Sequence, residues 1–320
     1  MFKLDFKIAE NEKQINYRDE IISLGSCFSE RIGQNLIENK FTSLNNPFGS
    51  LFSPYSIFKI LDNDVDENDI IESQGVFYHW DASSEISSLD KKDLTHRVGS
   101  TLQSFQSSLR SCDWLIITLG TSYCYRYKKT KRTVANCHKI PQVEFEKFLL
   151  KPDEIVSQYH SVMNSIREAN PELKVIITIS PVRHIKDGLQ GNNISKGILH
   201  QAVSNIIASD PLSSYFPAYE IMIDELRDYR FYERDMIHPN NQAIDYIWEN
   251  FRKAFIDTPS NNFIDKWSKI KASMHHKPFH PESEKHQVFL KDLIVEIRNF
   301  EKDIDVTPEL EELSKRIIKQ

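Results

Sequence analysis

This 320-residue chain has few cysteines, no long apolar run and no excess of positive charge. It holds four cysteines, none with C-x-x-C spacing, which argues against a disulfide framework and a structural zinc site. No stretch approaches the roughly 18 consecutive apolar residues of a membrane span, and the N-terminus lacks the apolar centre of a signal peptide, so we expect a cytoplasmic protein. Lysine and arginine total 40 against 46 acidic residues, and this net charge of −6 argues against a nucleic-acid partner.

The chain does have the composition of a globular protein, with 40% hydrophobic and 27% charged residues. Short apolar runs, at residues 20–24 (EIISL), 114–119 (WLIITL) and 175–179 (VIITI), alternate with segments of helical spacing. Runs this apolar are typical of parallel strands that are buried on both faces. We therefore predict an α/β fold with a doubly wound parallel sheet, in which residues 218–223 form a further strand.

The end of the chain has a different pattern. Residues 257–320 contain no strand-like run, and their apolar residues recur at helical spacing. We expect a helical extension there, beside a main domain of residues 1–256, and its helices are expected to pack on that domain or to form a homodimer. The histidine-rich stretch at residues 275–281 (HHKPFHP) has residue types that bind metals, but its prolines favour a linker, and we predict no metal site.

The first candidate for chemistry follows the first predicted strand. Gly25 permits a tight turn there, and Ser26 and Cys27 then lie at the start of a predicted helix. Ligands of open α/β sheets bind at this carboxyl edge, and the free N–H groups of a helix start can lower the pKa of a thiol and stabilise an oxyanion. The alternative is that Cys27 is a small buried apolar residue, as most free cysteines are.

The second candidate precedes the last helix of the main domain. Asp235 and His238 are three residues apart on a turn that enters this helix. A carboxylate at this spacing can orient an imidazole and stabilise its charged form, as a general base requires. The alternative is that Asp235 caps the helix beside a structural histidine.

These pieces, in this order, resemble the GSCFA family, within the SGNH (GDSL-type) hydrolase superfamily. Six short motifs carry the resemblance, and they occur at residues 25–29 (GSCFS), 46–49 (NPFG), 119–121 (LGT), 134–139 (VANCHK), 180–184 (SPVRH) and 235–239 (DMIHP). The similarity covers roughly residues 1–256. It implies an SGNH-hydrolase-like, flavodoxin-like three-layer α/β/α sandwich and an activity in ester hydrolysis or acyl transfer.

The resemblance also suggests roles for particular residues. An ungapped alignment to the SGNH motif Gly-Asp-Ser puts Cys27 at the nucleophile, with Ser26 as the alternative. Gly49 aligns with the block whose N–H completes the oxyanion hole, although it also fits a simple turn glycine. The usual oxyanion asparagine is absent, and Asn136 or His138 could replace it from a predicted hairpin, or could lie on a solvent-facing edge.

Arg183 and His184 follow a buried strand and are expected at the same edge of the sheet. Arg183 could bind a substrate carboxylate or phosphate, or could form a structural ion pair with Asp187 or with a helix carboxylate. Together these residues predict an enzyme that cleaves or transfers the acyl group of a small-molecule ester, such as an acylated carbohydrate, without a cofactor. The alternative is a carbohydrate- or acyl-binding protein that keeps the pocket without turnover.

Overall fold

The computed structural model describes residue 4, residues 6–302 and residues 304–318. Its strands, in chain order, are β1 (Glu20–Gly25), β2 (Thr42–Asn45), β3 (Ile70–Ser73), β4 (Val76–His79), β5 (Ser87–Ser88), β6 (Trp114–Leu119), β7 (Tyr123–Tyr127), β8 (Thr133–Val134), β9 (Phe145–Leu149), β10 (Lys174–Ile179) and β11 (Ser213–Phe216). Its α-helices are α1 (Cys27–Glu38), α2 (Pro54–Leu61), α3 (Lys91–Leu109), α4 (Pro152–Ala169), α5 (Gly188–Ser209), α6 (Ala218–Glu220), α7 (Asn241–Phe255), α8 (Thr258–His275), α9 (Glu284–Arg298) and α10 (Thr307–Arg316).

A five-stranded parallel sheet forms the centre, in the order β11-β10-β6-β1-β2. If only these five strands are numbered 1 to 5 in chain order, their order across the sheet is 2-1-3-4-5, which is the order of flavodoxin-like sheets. The predicted flavodoxin-like α/β fold is therefore confirmed. The order reverses between β1 and β6, and open sheets of this kind bind their ligands outside the carboxyl ends of the strands at such a point.

Helices cover both faces of this sheet, which explains why its strands are apolar throughout. Alternate residues point to opposite faces of a strand. Ile22 and Leu24 of β1 pack with α3, α4 and α5, whereas Ile21 packs with α1 and α7. Burial on both faces gives the three layers of an α/β/α sandwich.

One strand prediction is wrong. Residues 218–223 are helical: α6 continues into a π-helical segment, Ile221–Leu226, and the edge strand β11 ends before them. Ala218, Ile221 and Met222 are fully buried against the sheet. A short buried helical segment of this kind has the same run of apolar residues as a strand, so composition alone cannot distinguish the two.

Two three-stranded antiparallel sheets, β3-β4-β5 and β8-β7-β9, are inserted between the central strands. They enclose a small aromatic core that contains Trp80, Tyr127 and Phe145. The predicted hairpin is present as β7 and β8, which are antiparallel and are joined by residues 128–132.

The expected C-terminal helical extension is present. Residues 258–318, where described, form α8, α9 and α10 and add no strand to the central sheet. These helices have their own apolar core, and the Trp267 indole N–H donates to the Glu38 carbonyl at 3.1 Å. Within the described part of the chain, no helix has the length and apolarity that crossing a membrane requires. The boundary at residue 256 and the homodimer stay predictions.

Candidate active site

The carboxyl edge of the central sheet brings three of the predicted motifs together. Gly25 ends β1, while Gly120 and Ser180 directly follow β6 and β10. Backbone hydrogen bonds fasten the neighbouring loop to this edge: the Leu51 N–H donates to the Gly25 carbonyl, and the Gly120 N–H donates to the Phe52 carbonyl, each at 2.8 Å.

The turn between β1 and α1 lies directly against β6. Gly25 has φ +144°, and a Cβ at this position would be 2.2 Å from the Thr118 carbonyl oxygen. The Ser26 N–H donates to the same oxygen at 3.2 Å. Only glycine allows this close approach, and the approach fixes where α1 begins, with Cys27 as its first residue.

Ser26 and Cys27 have different environments although they are adjacent. Ser26 is 1% exposed, and its Oγ accepts the Phe28 N–H at 3.3 Å, so this hydroxyl caps α1. Cys27 is only partly buried and lines an open cleft of about 520 Å³. Of the two candidate nucleophiles, only Cys27 reaches this cleft.

The cleft brings Cys27 together with Asp235 and His238, and we call it the Cys27 cleft. Its apolar lining is Phe28, Val182, Pro239 and Ile244, and its polar lining is Glu30, Arg31, Gln34 and Glu233. The nucleophile candidate and the acid–base candidates therefore share one surface, although they come from opposite ends of the main domain.

The Asp235 carboxylate holds the His238 ring and backbone. Its Oδ2 lies 2.6 Å from His238 Nδ1, while its Oδ1 accepts the N–H groups of Ile237 and His238 at 2.9 and 3.0 Å. The bonds from His238 and from the Ile237 N–H lower the pKa of Asp235 to about 2, so the carboxylate is ionised at neutral pH. This arrangement leaves Nε2 as the ring nitrogen that can exchange protons.

The electrostatics of Cys27 differ from the expectation of a lowered thiol pKa. Burial is the largest effect and raises the pKa of Cys27, and Glu30 raises it further. Hydrogen bonds from the N–H groups of Cys27 and Phe28 at the helix start lower the pKa of Cys27, as expected, but by less than burial raises it. The charge of Lys196 lowers the pKa of Cys27 by a smaller amount. The resting thiol is therefore protonated at neutral pH and needs a base.

Lys196 is a residue of this site that sequence reasoning missed. It is 2% exposed, and its Nζ donates to the carbonyl oxygens of Gly120 at 2.7 Å and Ser180 at 2.6 Å. Burial lowers the pKa of Lys196 to about 7, an effect that Cys27 opposes. The available signal was its position on α5, in register with the apolar Leu199 and Val203, because a charge on the buried stripe of a helix is unusual.

Arg183 and His184 lie at the same edge, beyond β10. Arg183 Nη1 donates to the Met236 carbonyl at 3.1 Å, and its guanidinium lies 4.3 Å from the centre of the Tyr232 ring. The considered ion pair with Asp187 does not form, because that carboxylate pairs with Lys147.

His184 is in a more buried environment beside Gly120. A Cβ on Gly120 would lie 3.2 Å from His184 Nε2. Burial is the largest cause that lowers the pKa of His184 to about 4, and the charge of Lys196 adds to it. His184 is therefore neutral at physiological pH and can contribute a hydrogen bond rather than a charge.

The structure does not bring Gly49, Asn136 or His138 to the Cys27 cleft. The Gly49 N–H donates to the Asn46 carbonyl at 2.8 Å, so it is already engaged in a turn. His138 is fully buried, with its Nε2 2.8 Å from the His79 carbonyl, and the Asn136 Oδ1 accepts the His138 N–H at 3.1 Å. These contacts place Asn136 and His138 in the hairpin region and give neither residue access to an oxyanion at Cys27.

No group of three or more His, Cys, Asp or Glu residues that could hold a metal ion occurs among the described residues. The side chains of Cys27, His238 and Asp235 supply the cleft with a thiol, an imidazole and a carboxylate.

Comparison with known proteins shows the family. The model of the GSCFA family matches residues 20–251, which is more than half of the chain. The chain belongs to the GSCFA family. A second model, the C-terminal domain of GSCFA domain proteins, matches residues 267–319. No curated protein sequence matches this GSCFA protein.

Two solved structures show distant similarity. One is a Streptococcus pneumonia protein provisionally described as a platelet activating factor, with 12% identity and a TM-score of 0.40 over 73% of this chain and 83% of that one. The other is a carbohydrate esterase family 3 protein from Talaromyces cellulolyticus, with 10% identity and a TM-score of 0.36 over 78% of this chain and 99% of that one. Similarity at this level does not assign an activity.

Proposed function

We propose that this GSCFA protein is a cysteine-dependent acyl hydrolase or acyltransferase that acts on an ester such as an acylated carbohydrate. The observation that carries the proposal is the meeting of Cys27, His238 and Asp235 in one cleft. A nucleophile, a base and a group that orients the base are the parts that covalent acyl transfer requires.

Helix capping supports Cys27 over Ser26 as the nucleophile. The Ser26 Oγ is buried and accepts the Phe28 N–H, and moving it towards a substrate would uncap α1. Cys27 lies one residue further on, at the helix start and on the cleft wall. A thiol is also the stronger nucleophile of the two once its proton is removed.

The proposed reaction has two stages. His238 Nε2 removes the Cys27 proton, the sulfur attacks the acyl carbon, and the alcohol leaves with the proton from His238 to give a thioester. Water, or a second alcohol in a transferase, then gives its proton to His238 and attacks the thioester, and the thiolate leaves and recovers that proton. We assign the stabilisation of the oxyanion in both stages to the Cys27 N–H at the positive end of α1, because the N–H groups of Phe28 and Ser29 already donate to Ser26.

The lining of the Cys27 cleft is compatible with an acylated sugar. Glu30, Gln34 and Glu233 can accept hydrogen bonds from sugar hydroxyls, whereas Phe28 and Ile244 offer apolar contact. We further propose that Arg183 contacts the substrate, because its guanidinium is held by the Met236 carbonyl and the Tyr232 ring and has no carboxylate partner in the described chain.

The test is hydrolysis of nitrophenyl acetate and of acetylated sugars by the wild type and by Cys27→Ala, Ser26→Ala and His238→Ala. We expect Cys27→Ala and His238→Ala to lose at least about 100-fold in kcat/KM, the lower range for removing a general base or its nucleophile. Cys137→Ala is the matched control, because this partly buried cysteine lies outside the cleft, and it should keep full activity.

The other outcomes distinguish the alternatives. Ser26→Ala should stay active and lose about 1 kcal/mol of stability as the cap is removed. If Ser26→Ala is inactive while Cys27→Ala turns over, the serine is the nucleophile and the proposal is wrong in that respect. If the folded wild type hydrolyses none of these esters but binds acetylated sugars, the non-catalytic binding protein is the correct description.

A further inference from the structure

Lys196 is an unusual charged residue because it is buried and has no carboxylate partner among the described residues. Its Nζ bridges the carbonyl oxygens that follow β6 and β10. These two carbonyls satisfy hydrogen bonds but do not neutralise a charge. Burying an unpaired ammonium costs several kcal/mol, so a purely structural link between two strands would be better made by a neutral amide or hydroxyl.

The position of Lys196 relates it to the start of α1. Its partner Gly120 is two residues beyond Thr118, and the Thr118 carbonyl accepts the Ser26 N–H at the turn that positions Cys27. Lys196 therefore lies under the same edge of the sheet as the thiol, inside the protein rather than in the cleft.

Four titratable groups surround the Lys196 ammonium. Cys27 approaches it from α1 and His184 from the loop after β10, and the Tyr219 ring centre lies 5.8 Å from Nζ. His200 lies on the same helix, and burial and Lys196 both lower its pKa, whereas Glu220 opposes the shift. Of these four groups, both histidines are neutral or cationic and the pKa of Tyr219 is raised, first by burial, so Cys27 is the one that becomes an anion in the proposed reaction, when its proton is removed.

We propose that Lys196 is a positioning residue whose buried positive charge stabilises the Cys27 thiolate when the thiol loses its proton. The inference rests on the proposed role of Cys27 as the nucleophile. In this arrangement the thiolate supplies the missing counter-charge of the ammonium, and the ammonium offsets the burial and the Glu30 charge that disfavour the thiolate.

The test measures the pH dependence of iodoacetamide labelling at Cys27 by peptide mass spectrometry, without any ester substrate. Three variants separate charge from hydrogen bonding: Lys196→Met removes both, Lys196→Gln keeps an N–H donor without charge, and Lys196→Arg keeps the charge. Cys137, in the same molecules, serves as the internal control.

We expect Lys196→Met and Lys196→Gln to slow Cys27 labelling about threefold at and below pH 7, where Lys196 of the wild type is still charged, and this factor corresponds to about half a pKa unit at the thiol. The Cys27 labelling rate of Lys196→Arg should stay close to that of the wild type, and the pH profile of Cys137 labelling should be the same in all variants. An unchanged Cys27 profile in Lys196→Gln overturns the inference, and if Lys196→Met does not fold, the Gln and Arg variants still decide.

The two proposals can fail separately in this design. A shifted labelling profile in a protein that hydrolyses no ester supports the role of Lys196 and rejects the enzymatic function. Ester hydrolysis that depends on Cys27, together with an unchanged profile in Lys196→Gln, supports the function and rejects the role of Lys196.

Discussion

Gly25→Ala tests whether the close approach of the β1–α1 turn to β6 positions Cys27. The new Cβ would lie 2.2 Å from the Thr118 carbonyl oxygen and 2.9 Å from the Thr118 Cα, both of which are backbone atoms in the centre of the sheet. Gly25 also has φ +144°, where an L-residue costs about 1–3 kcal/mol, and overpacking of this kind costs about 1–3 kcal/mol more. We therefore expect the free energy of unfolding to fall by about 2–6 kcal/mol.

Urea unfolding followed by tryptophan fluorescence and circular dichroism measures this loss. The matched control is Gly197→Ala, in the interior of α5, where, apart from the adjacent residues and the backbone of the same helix, no described atom lies within 4 Å of the added Cβ. This control should gain up to about 1 kcal/mol, because alanine favours a helix more than glycine does.

Any Gly25→Ala protein that still folds must move the turn away from β6, so iodoacetamide labelling of Cys27 should change while that of Cys137 does not. A Gly25→Ala variant within about 0.5 kcal/mol of the wild type, with unchanged Cys27 labelling, would refute the reasoning.

Two further predictions concern buried charge. Burial lowers the pKa of Lys196 to about 7, so between about pH 7 and 10.5 the unfolded state binds more protons than the folded state, and the free energy of unfolding rises with pH. Compared with Lys196→Met, the wild type should gain up to about 1.4 kcal/mol per pH unit, which urea unfolding at pH 7 and pH 9 measures. An equal change with pH in the two proteins would contradict this prediction. The Asp81 side chain is 2% exposed and pairs with Lys59 at 2.9 Å and with Arg132 at 2.5 Å, so Asp81→Asn should lose about 3–5 kcal/mol. Asp93→Asn breaks a pair that is 49% exposed on both sides and should lose less than about 1 kcal/mol, and similar losses in the two variants would count against this distinction.

The sequence predicts the central sheet well because burial on both faces leaves a clear pattern. The runs at residues 114–119 and 175–179 coincide with β6 and β10 almost residue for residue. The same rule fails at residues 218–223, where a helical segment packed flat on the sheet is equally apolar. Composition records that a segment is buried, but it does not record which backbone conformation buries it.

Prediction of the site had a similar limit. The proximity of His238 and Asp235 follows from local spacing, and the structure places this pair beside Cys27 in the cleft. The location of His138 could not be predicted, because His138 is buried in an aromatic cluster that two inserted sheets form together. In this cluster the His138 ring stacks on the Tyr78 ring, with the ring centres 4.9 Å apart. Lys196 was missed because its importance comes from two distant carbonyls rather than from neighbours in the sequence.

The order of Ser26 and Cys27 explains how one short turn can serve both the fold and the proposed chemistry. The first residue after Gly25 must cap α1, because its side chain lies where the free N–H groups of the helix begin. The hydroxyl of Ser26 meets this need, and its bond to the Phe28 N–H removes it from the cleft. The next side chain, that of Cys27, lines the cleft and is only partly buried, so a thiol there is accessible to a substrate. A serine nucleophile at position 26 would have to give up the cap during each turnover, whereas a cysteine at position 27 would not.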